Sequence, residues 1–142
     1  QGRARVLVLS QERHAVWKKA LPMMRSPVMR SDHIRHVDHE GVQLLQSGLD
    51  ALSRSTELSG EHRKTFALSS ASYRHLKEQG RLEVLPCADH SSVFIESWFY
   101  DPLLLSDNAQ TVDGLSLYLS LRENPDERVQ QALDDMMESR KW

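Results

Sequence analysis

The chain has 142 residues, of which 39% are hydrophobic and 27% charged, and its formal net charge is −2. This composition is typical of one folded domain and excludes a disordered or low-complexity chain. The longest apolar runs fall far short of the roughly 20 residues that span a bilayer, which argues against a membrane span. A single cysteine, Cys87, excludes an intramolecular disulfide and favours a cytoplasmic location. We interpret Cys87 as a small packed hydrophobic residue.

Charge is distributed unevenly along the chain. Residues 1–36 hold eight Arg and Lys against two acids, and residues 82–142 hold twelve Asp and Glu against four bases. Either the two ends lie together and neutralise each other, or the basic end flanks a nucleic-acid site in a longer protein. Residues 1–2 read Gln-Gly, as after cleavage of a purification tag. We therefore expect residues 3–142 to form one domain, the C-terminal part of a longer protein.

In the first half of the chain, hydrophobic periodicity predicts a strand over residues 4–10, a helix over 12–21 that buries Trp17, and a strand over 27–37. From Gly41 the apolar spacing changes to that of a helix, which we expect to continue to about residue 58. Gly48 inside this segment suggests close packing against a neighbour.

The second half continues the alternation. The predicted elements are a strand over 63–69, a helix over 71–79, strands over 82–87 and 92–100, and helices over 115–122 and 125–137. The helix-start signals are the pair Ser69-Ser70, either of which can act as an N-cap, and the N-cap residues Asp113 and Asn124. We expect Gly80 to end its helix and residues 89–91 to form a hairpin turn. The whole pattern predicts an α/β or α+β fold, with one mixed sheet of about four or five strands packed against four or five helices.

The best metal-ligand cluster in the sequence is a histidine repeat. His33, His36 and His39 recur every three residues with Asp38 among them, which supplies enough donor atoms for a divalent ion. A three-residue period aligns side chains on a helix and scatters them on a strand. Because this segment is predicted to be a strand and a turn, we favour a solvated connection and assign no metal and no cofactor.

No catalytic motif emerges. The sequence contains no Gly-rich phosphate loop, no Gly-x-Ser-x-Gly elbow and no Cys-x-x-Cys pair. A divergent metal-dependent nuclease or nucleotidyl-transfer enzyme would have to use Asp32, His36, Asp38 and Glu96, but no lysine follows Glu96 at the spacing such enzymes use.

Three consecutive aromatic residues end the predicted strand over 92–100. Trp98, Phe99 and Tyr100 cannot all lie on one face of a strand. Either the sheet is covered on both sides, or one face meets a partner. We select these three as the candidate partner-binding residues.

Three segments together resemble a known class of protein. They are residues 48–53 (GLDALS), 96–102 (ESWFYDP) and 112–129 (VDGLSLYLSLRENPDERV). They resemble the C-terminal domain of uncharacterised bacterial winged-helix regulators of the MarR-like kind, and more distantly the AbiE-type abortive-infection antitoxin. Gly114 departs from this pattern, where a proline is expected.

The resemblance implies a non-catalytic regulatory or interaction domain that dimerises or binds a protein partner, with DNA contacted only by a winged helix upstream. Two alternatives remain open. One is the metal-dependent enzyme described above. The other is a small-ligand sensor, which requires a pocket of several hundred Å³.

Overall fold

The structure is a computed structural model that describes residues 9–142 of the chain, with side chains from residue 12 onward. It is an α+β fold with one five-stranded mixed sheet, as the sequence predicts. The described helices are α1 (Leu9–Ala20), α2 (Gly48–Ser55), α3 (Ser70–Glu78), α4 (Gly114–Leu121) and α5 (Glu127–Glu138). The strands are β1 (Val28–Val37), β2 (Leu45–Gln46), β3 (Thr65–Ser69), β4 (Leu82–Leu85) and β5 (Val93–Trp98). Short 3-10 turns occupy Leu21–Met23 and Pro102–Leu104.

The strand order is β2-β3-β5-β1-β4. β3 and β5 run parallel, and every other neighbouring pair is antiparallel. β4 and β5 therefore lie on opposite sides of β1, so the expected hairpin between them is wrong. Residues 89–91 do form a turn, in which Asp89 accepts a hydrogen bond from the backbone N–H of Ser91 at 2.9 Å.

Helices cover both faces of the sheet. α2, α4 and α5 bury the larger core on one face, which includes Leu52, Trp98 and Leu133. α3 covers the other face, where Tyr73 and Leu76 pack on the strands. We call these the α5 face and the α3 face. Two-sided coverage explains why β5 carries large apolar side chains on both of its faces, such as Ile95 and Trp98.

Several predicted helix ends are confirmed. Ser69 caps α3 by accepting from Ser72 N–H at 3.1 Å, and Asp113 caps α4 by accepting from Ser116 N–H at 2.9 Å. Gly80 follows α3 with a φ of +68°. The cap of α5 is Asp126 and not Asn124, whose side chain instead accepts from the backbone N–H of Asp126.

Two predicted elements differ from the structure. The predicted strand over residues 4–10 lies outside the described residues except for Leu9 and Ser10, which begin α1. The predicted helix over 42–58 is shorter, because Leu45–Gln46 pair with β3 as strand β2 and α2 starts only at Gly48. Gly48 has a φ of +66°, and an added Cβ would lie 3.0 Å from Thr65 Cγ2, so the predicted close packing is confirmed.

Candidate functional site

The three aromatic residues selected as partner contacts occupy different environments. Trp98 is fully buried in the core on the α5 face, so it offers no surface to a partner. Tyr100 is half-buried, and its hydroxyl is hydrogen-bonded to Ser116. Phe99 is 42% exposed, with the guanidinium of Arg25 lying 4.2 Å from its ring centroid. Because both faces of the sheet are covered, this segment presents only Phe99 as an exposed aromatic ring.

The histidine and acid candidates do not converge. His33 lies on β1, where its ring packs 4.5 Å from that of Phe94. His36 is exposed, and Asp38 lies beyond the end of β1 with its carboxylate 3.5 Å from Arg81. Within residues 9–142, no group of three or more His, Cys, Asp or Glu side chains is placed to hold a metal ion.

The acids that a nuclease would need lie on opposite faces of the sheet. Asp32 is on the α3 face, where it accepts a hydrogen bond from the hydroxyl of Tyr73 and pairs with Arg30. Glu96 is on the α5 face, where Ser47 and Trp98 hold it. Two carboxylates separated by the sheet cannot share a metal, so the structure gives this arrangement no support.

Glu96 instead lines a cleft on the α5 face. The cleft has a volume of about 340 Å³. Its walls come from the start of α2, from the sheet and from the turn between α4 and α5: Gly48, Leu49, Thr65, Phe94, Leu121 and Asn124. We call it the Glu96 cleft.

The carboxylate of Glu96 is unusual in its burial and in its partners. It is 9% exposed, and its Oε1 accepts hydrogen bonds from Ser47 Oγ at 2.6 Å and from Trp98 Nε1 at 3.1 Å. No described residue donates to Oε2, and none forms a salt bridge with this carboxylate. Burial raises the pKa of Glu96, and the two hydrogen bonds oppose that rise.

Three other ionisable residues line the same cleft: Glu61, His62 and Arg63. Arg63 is held away from Glu96, because its guanidinium donates to the backbone oxygens of Asp89 at 2.7 Å and Ser92 at 2.6 Å. His62 has a buried Nε2 without a hydrogen-bond partner among the described residues. The cleft therefore combines a buried carboxylate with three further ionisable side chains.

A second feature is an apolar groove between α1, the start of α4 and the C-terminal tail. It has a volume of about 400 Å³, and its apolar lining comes from Val16, Trp17, Ala20, Met24, Leu115 and Trp142. Trp17 is nearly buried, as predicted, with its ring 5.9 Å from that of Tyr118 and 6.4 Å from that of Trp142. Val16 is 63% exposed. We call this feature the Trp17 groove.

Three cations, Arg13, Arg140 and Lys141, also line the Trp17 groove, and no acid lines it among the residues whose side chains the structure describes. In the part of the chain that the structure describes, none of the three forms a salt bridge. Arg140 lies 5.3 Å from the ring centroid of Trp142, and its Nε is buried without a partner. The groove is thus an apolar surface with a positive edge.

The comparisons with known proteins add no family. No protein-family model, no curated protein and no solved structure matches this chain. Among the described residues, no helix is both long and apolar enough to cross a membrane.

Sequence reasoning missed both the Glu96 cleft and the Trp17 groove. Glu96 could have been predicted to be a buried carboxylate, because it is a charged residue among the apolar side chains of β5. Its partner Ser47 lies on a different element, far away in sequence. Trp142 meets α1 only through the tertiary fold, so the groove has no local signature.

Proposed function

We propose that this chain is an interaction domain of a bacterial DNA-binding regulator or antitoxin-like protein, and that it binds an acidic, amphipathic segment of a protein partner in the Trp17 groove. The observation that carries the proposal is an apolar groove edged by three cations without acidic partners among the described residues. In this proposal DNA is contacted by a winged helix outside this sequence, and the protein works in the cytoplasm.

The composition of the groove supports protein binding. Aromatic residues and arginine are enriched at the energetic centres of protein interfaces, because rigid rings bury a large apolar area at little entropic cost. Trp17 and Trp142 supply such rings, and Val16 is 63% exposed beside them. Contiguous apolar surface of this kind marks interaction sites in proteins.

The positive edge selects the partner's charge. Opposite charges at the edge of an interface steer association and exclude partners of the wrong sign. Arg13, Arg140 and Lys141 therefore favour an acidic segment. The acidic second half of this chain makes a second copy one possible source of that segment, and a different protein is the other.

A peptide titration tests the groove directly. A suitable probe has the sequence of residues 126–139, which is acidic and amphipathic, and its matched control replaces every Asp and Glu by Asn and Gln. We expect the acidic peptide to shift the indole N–H signals of Trp17 and Trp142 in a two-dimensional NMR spectrum, and its affinity to fall as salt is added. The neutral peptide should bind more weakly.

Two exposed residues provide matched variants. Val16→Asp places a negative charge in the groove and should abolish peptide binding, whereas Leu104→Asp, at a residue 76% exposed outside the groove lining, should leave it unchanged. If Leu104→Asp abolished peptide binding and Val16→Asp left it unchanged, the peptide would bind in the region of Phe99 and Leu104, and the proposal would be contradicted. The solution mass of the unmodified chain, measured over a range of concentrations, then shows whether a second copy is the partner.

A small-ligand sensor is a second candidate, favoured by the Glu96 cleft. Its volume of about 340 Å³ lies within the range of small-molecule sites, and it combines apolar walls with a few polar groups. The metal-dependent enzyme has no comparable support, because Asp32 and Glu96 lie on opposite faces of the sheet.

A further inference from the structure

Glu96 is a buried carboxylate for which the described residues supply no cation. Burial of an unpaired charge is expensive, and proteins usually compensate it with an ion pair or by protonation. The two hydrogen bonds to Oε1, from Ser47 and Trp98, fix the orientation of the side chain and leave Oε2 without a protein donor. A glutamine would accept the same two hydrogen bonds without the cost of a charge, so the fold alone does not require the acid.

We infer that the Glu96 cleft binds a small organic cation of the alkylammonium class, with the ammonium group on Glu96 and the alkyl chain against the apolar walls. This deepens the second candidate function and is independent of the Trp17 groove. The ligand supplies the positive charge that the described residues do not.

The walls of the cleft suit such a ligand. Leu49, Phe94 and Leu121 offer apolar contacts to an alkyl chain, and the face of an aromatic ring such as Phe94 also attracts a cation. Thr65 lines the same cleft, and its hydroxyl already donates to the carbonyl of Arg63 at 3.0 Å. The hydroxyl oxygen can therefore accept one of the ammonium protons.

The volume of the cleft limits the size of the ligand. About 340 Å³ accommodates a small molecule, and a whole helix or strand of a partner does not fit in it. A free amine is therefore the source we commit to. A lysine side chain from a partner protein shares the chemistry, and it would have to enter through the mouth of the cleft.

Binding should strengthen as pH rises. Burial raises the pKa of Glu96, so this carboxyl keeps its proton to a higher pH than an exposed glutamate does, and a cation must displace that proton. Glu61, His62 and Arg63 also line the cleft and can add their own pH dependence. All three remain in a Glu96→Gln variant. The difference between the pH dependence of binding in the unmodified chain and in this variant is therefore caused by Glu96.

The test is a titration of the chain with three probes of similar size: butylammonium, butan-1-ol and pentanoate. The chain has three tryptophans, and the indole N–H of Trp98 donates to Glu96, so its NMR signal reports on the cleft. We expect saturable shifts of this signal with butylammonium only. Glu96→Gln should weaken binding by roughly tenfold or more, because a charge-assisted hydrogen bond is lost.

Glu78→Gln is the matched control, because Glu78 is exposed on α3, on the opposite face of the sheet from the cleft, and its change should alter affinity by less than about twofold. Equal binding of butylammonium and butan-1-ol, or no saturable shift with butylammonium, would overturn the inference on the unmodified chain without any variant. Binding of a lysine-containing peptide but not of butylammonium would also overturn it, in favour of a protein ligand. The signals of Trp17 and Trp142 report on the groove separately, so failure of one proposal is visible apart from the other.

Discussion

Replacing Gly48 by alanine should destabilise the fold through two separable effects. The φ of +66° at this position costs a residue with a Cβ roughly 1–2 kcal/mol. The new Cβ would also lie 3.0 Å from Thr65 Cγ2 and 3.1 Å from Thr65 Cβ, and overpacking of this kind costs roughly 1–3 kcal/mol. We expect a total loss of about 2–5 kcal/mol in the free energy of unfolding, from a domain whose whole stability is on the order of 5–15 kcal/mol.

Gly80→Ala is the matched control for the backbone effect. Gly80 has nearly the same backbone, with a φ of +68°, and no atom within 4 Å of an added Cβ. The two variants should therefore differ by the contact alone, roughly 1–3 kcal/mol. In urea denaturation followed by tryptophan fluorescence, a difference of about 2 kcal/mol moves the midpoint by roughly 1 M.

Adding Thr65→Ser, which removes the crowded Cγ2, should restore part of the loss in the free energy of unfolding of the Gly48→Ala variant. Equal midpoints for Gly48→Ala and Gly80→Ala would refute the reasoning, since the approach to Thr65 would then have no energetic consequence.

Three further predictions follow from single side chains. Burial raises the pKa of Glu96 in the folded protein above its pKa in the unfolded chain. The stability that Glu96 contributes is therefore fully present below the ordinary carboxyl range and is lost as pH rises through the raised pKa. Glu96→Gln should remove this pH dependence from urea midpoints measured from about pH 4 to pH 8. Asp113→Ala should lower stability by about 1 kcal/mol through loss of the α4 cap, while Asp134→Ala, at an exposed position of α5, should stay within about 0.5 kcal/mol by the same assay. Cys87 is exposed, contrary to the packed position expected from the sequence, so a chromogenic disulfide reagent should titrate its thiol completely without denaturant; a thiol that reacts only in urea would contradict this.

Much of the fold could be predicted because its signals are local. Ser69 and Asp113 lie directly before the helices that they cap, and Gly80 lies two residues after the end of α3. The alternation of β5 places Glu96 and Trp98 on one face, as strand geometry requires. These features depend on residues only a few positions apart, which is the range over which propensity and periodicity act.

The remaining features depend on contacts that no local pattern encodes. The sequence predicts a helix where the short strand β2 forms, because Leu45 continues the apolar spacing of α2, and only pairing with β3 makes this segment a strand. The buried Glu96 could be noticed in the sequence, but its hydrogen bond to Ser47 joins two elements far apart along the chain. The burial of Trp98 depends on such contacts too, because its core neighbours Leu117 on α4 and Leu133 on α5 lie well beyond it along the chain.

The position of β1 inside the sheet has a consequence for biosynthesis. Among the five strands of the described residues, β1 is translated first, yet both of its neighbours, β4 and β5, come later, and β5 ends about sixty residues after β1. At ordinary translation rates of roughly 5–20 residues per second, β1 waits several seconds on the ribosome before its central partner exists. Until Leu85 completes β4, the backbone donors and acceptors of β1 have no neighbouring strand on either side, and the edge that β5 covers stays open until Trp98 has been made, so the nascent chain is exposed to wrong pairing. Ribosome-associated factors that bind extended segments would therefore bind β1 in the nascent chain, although β1 lies between two strands in the completed sheet.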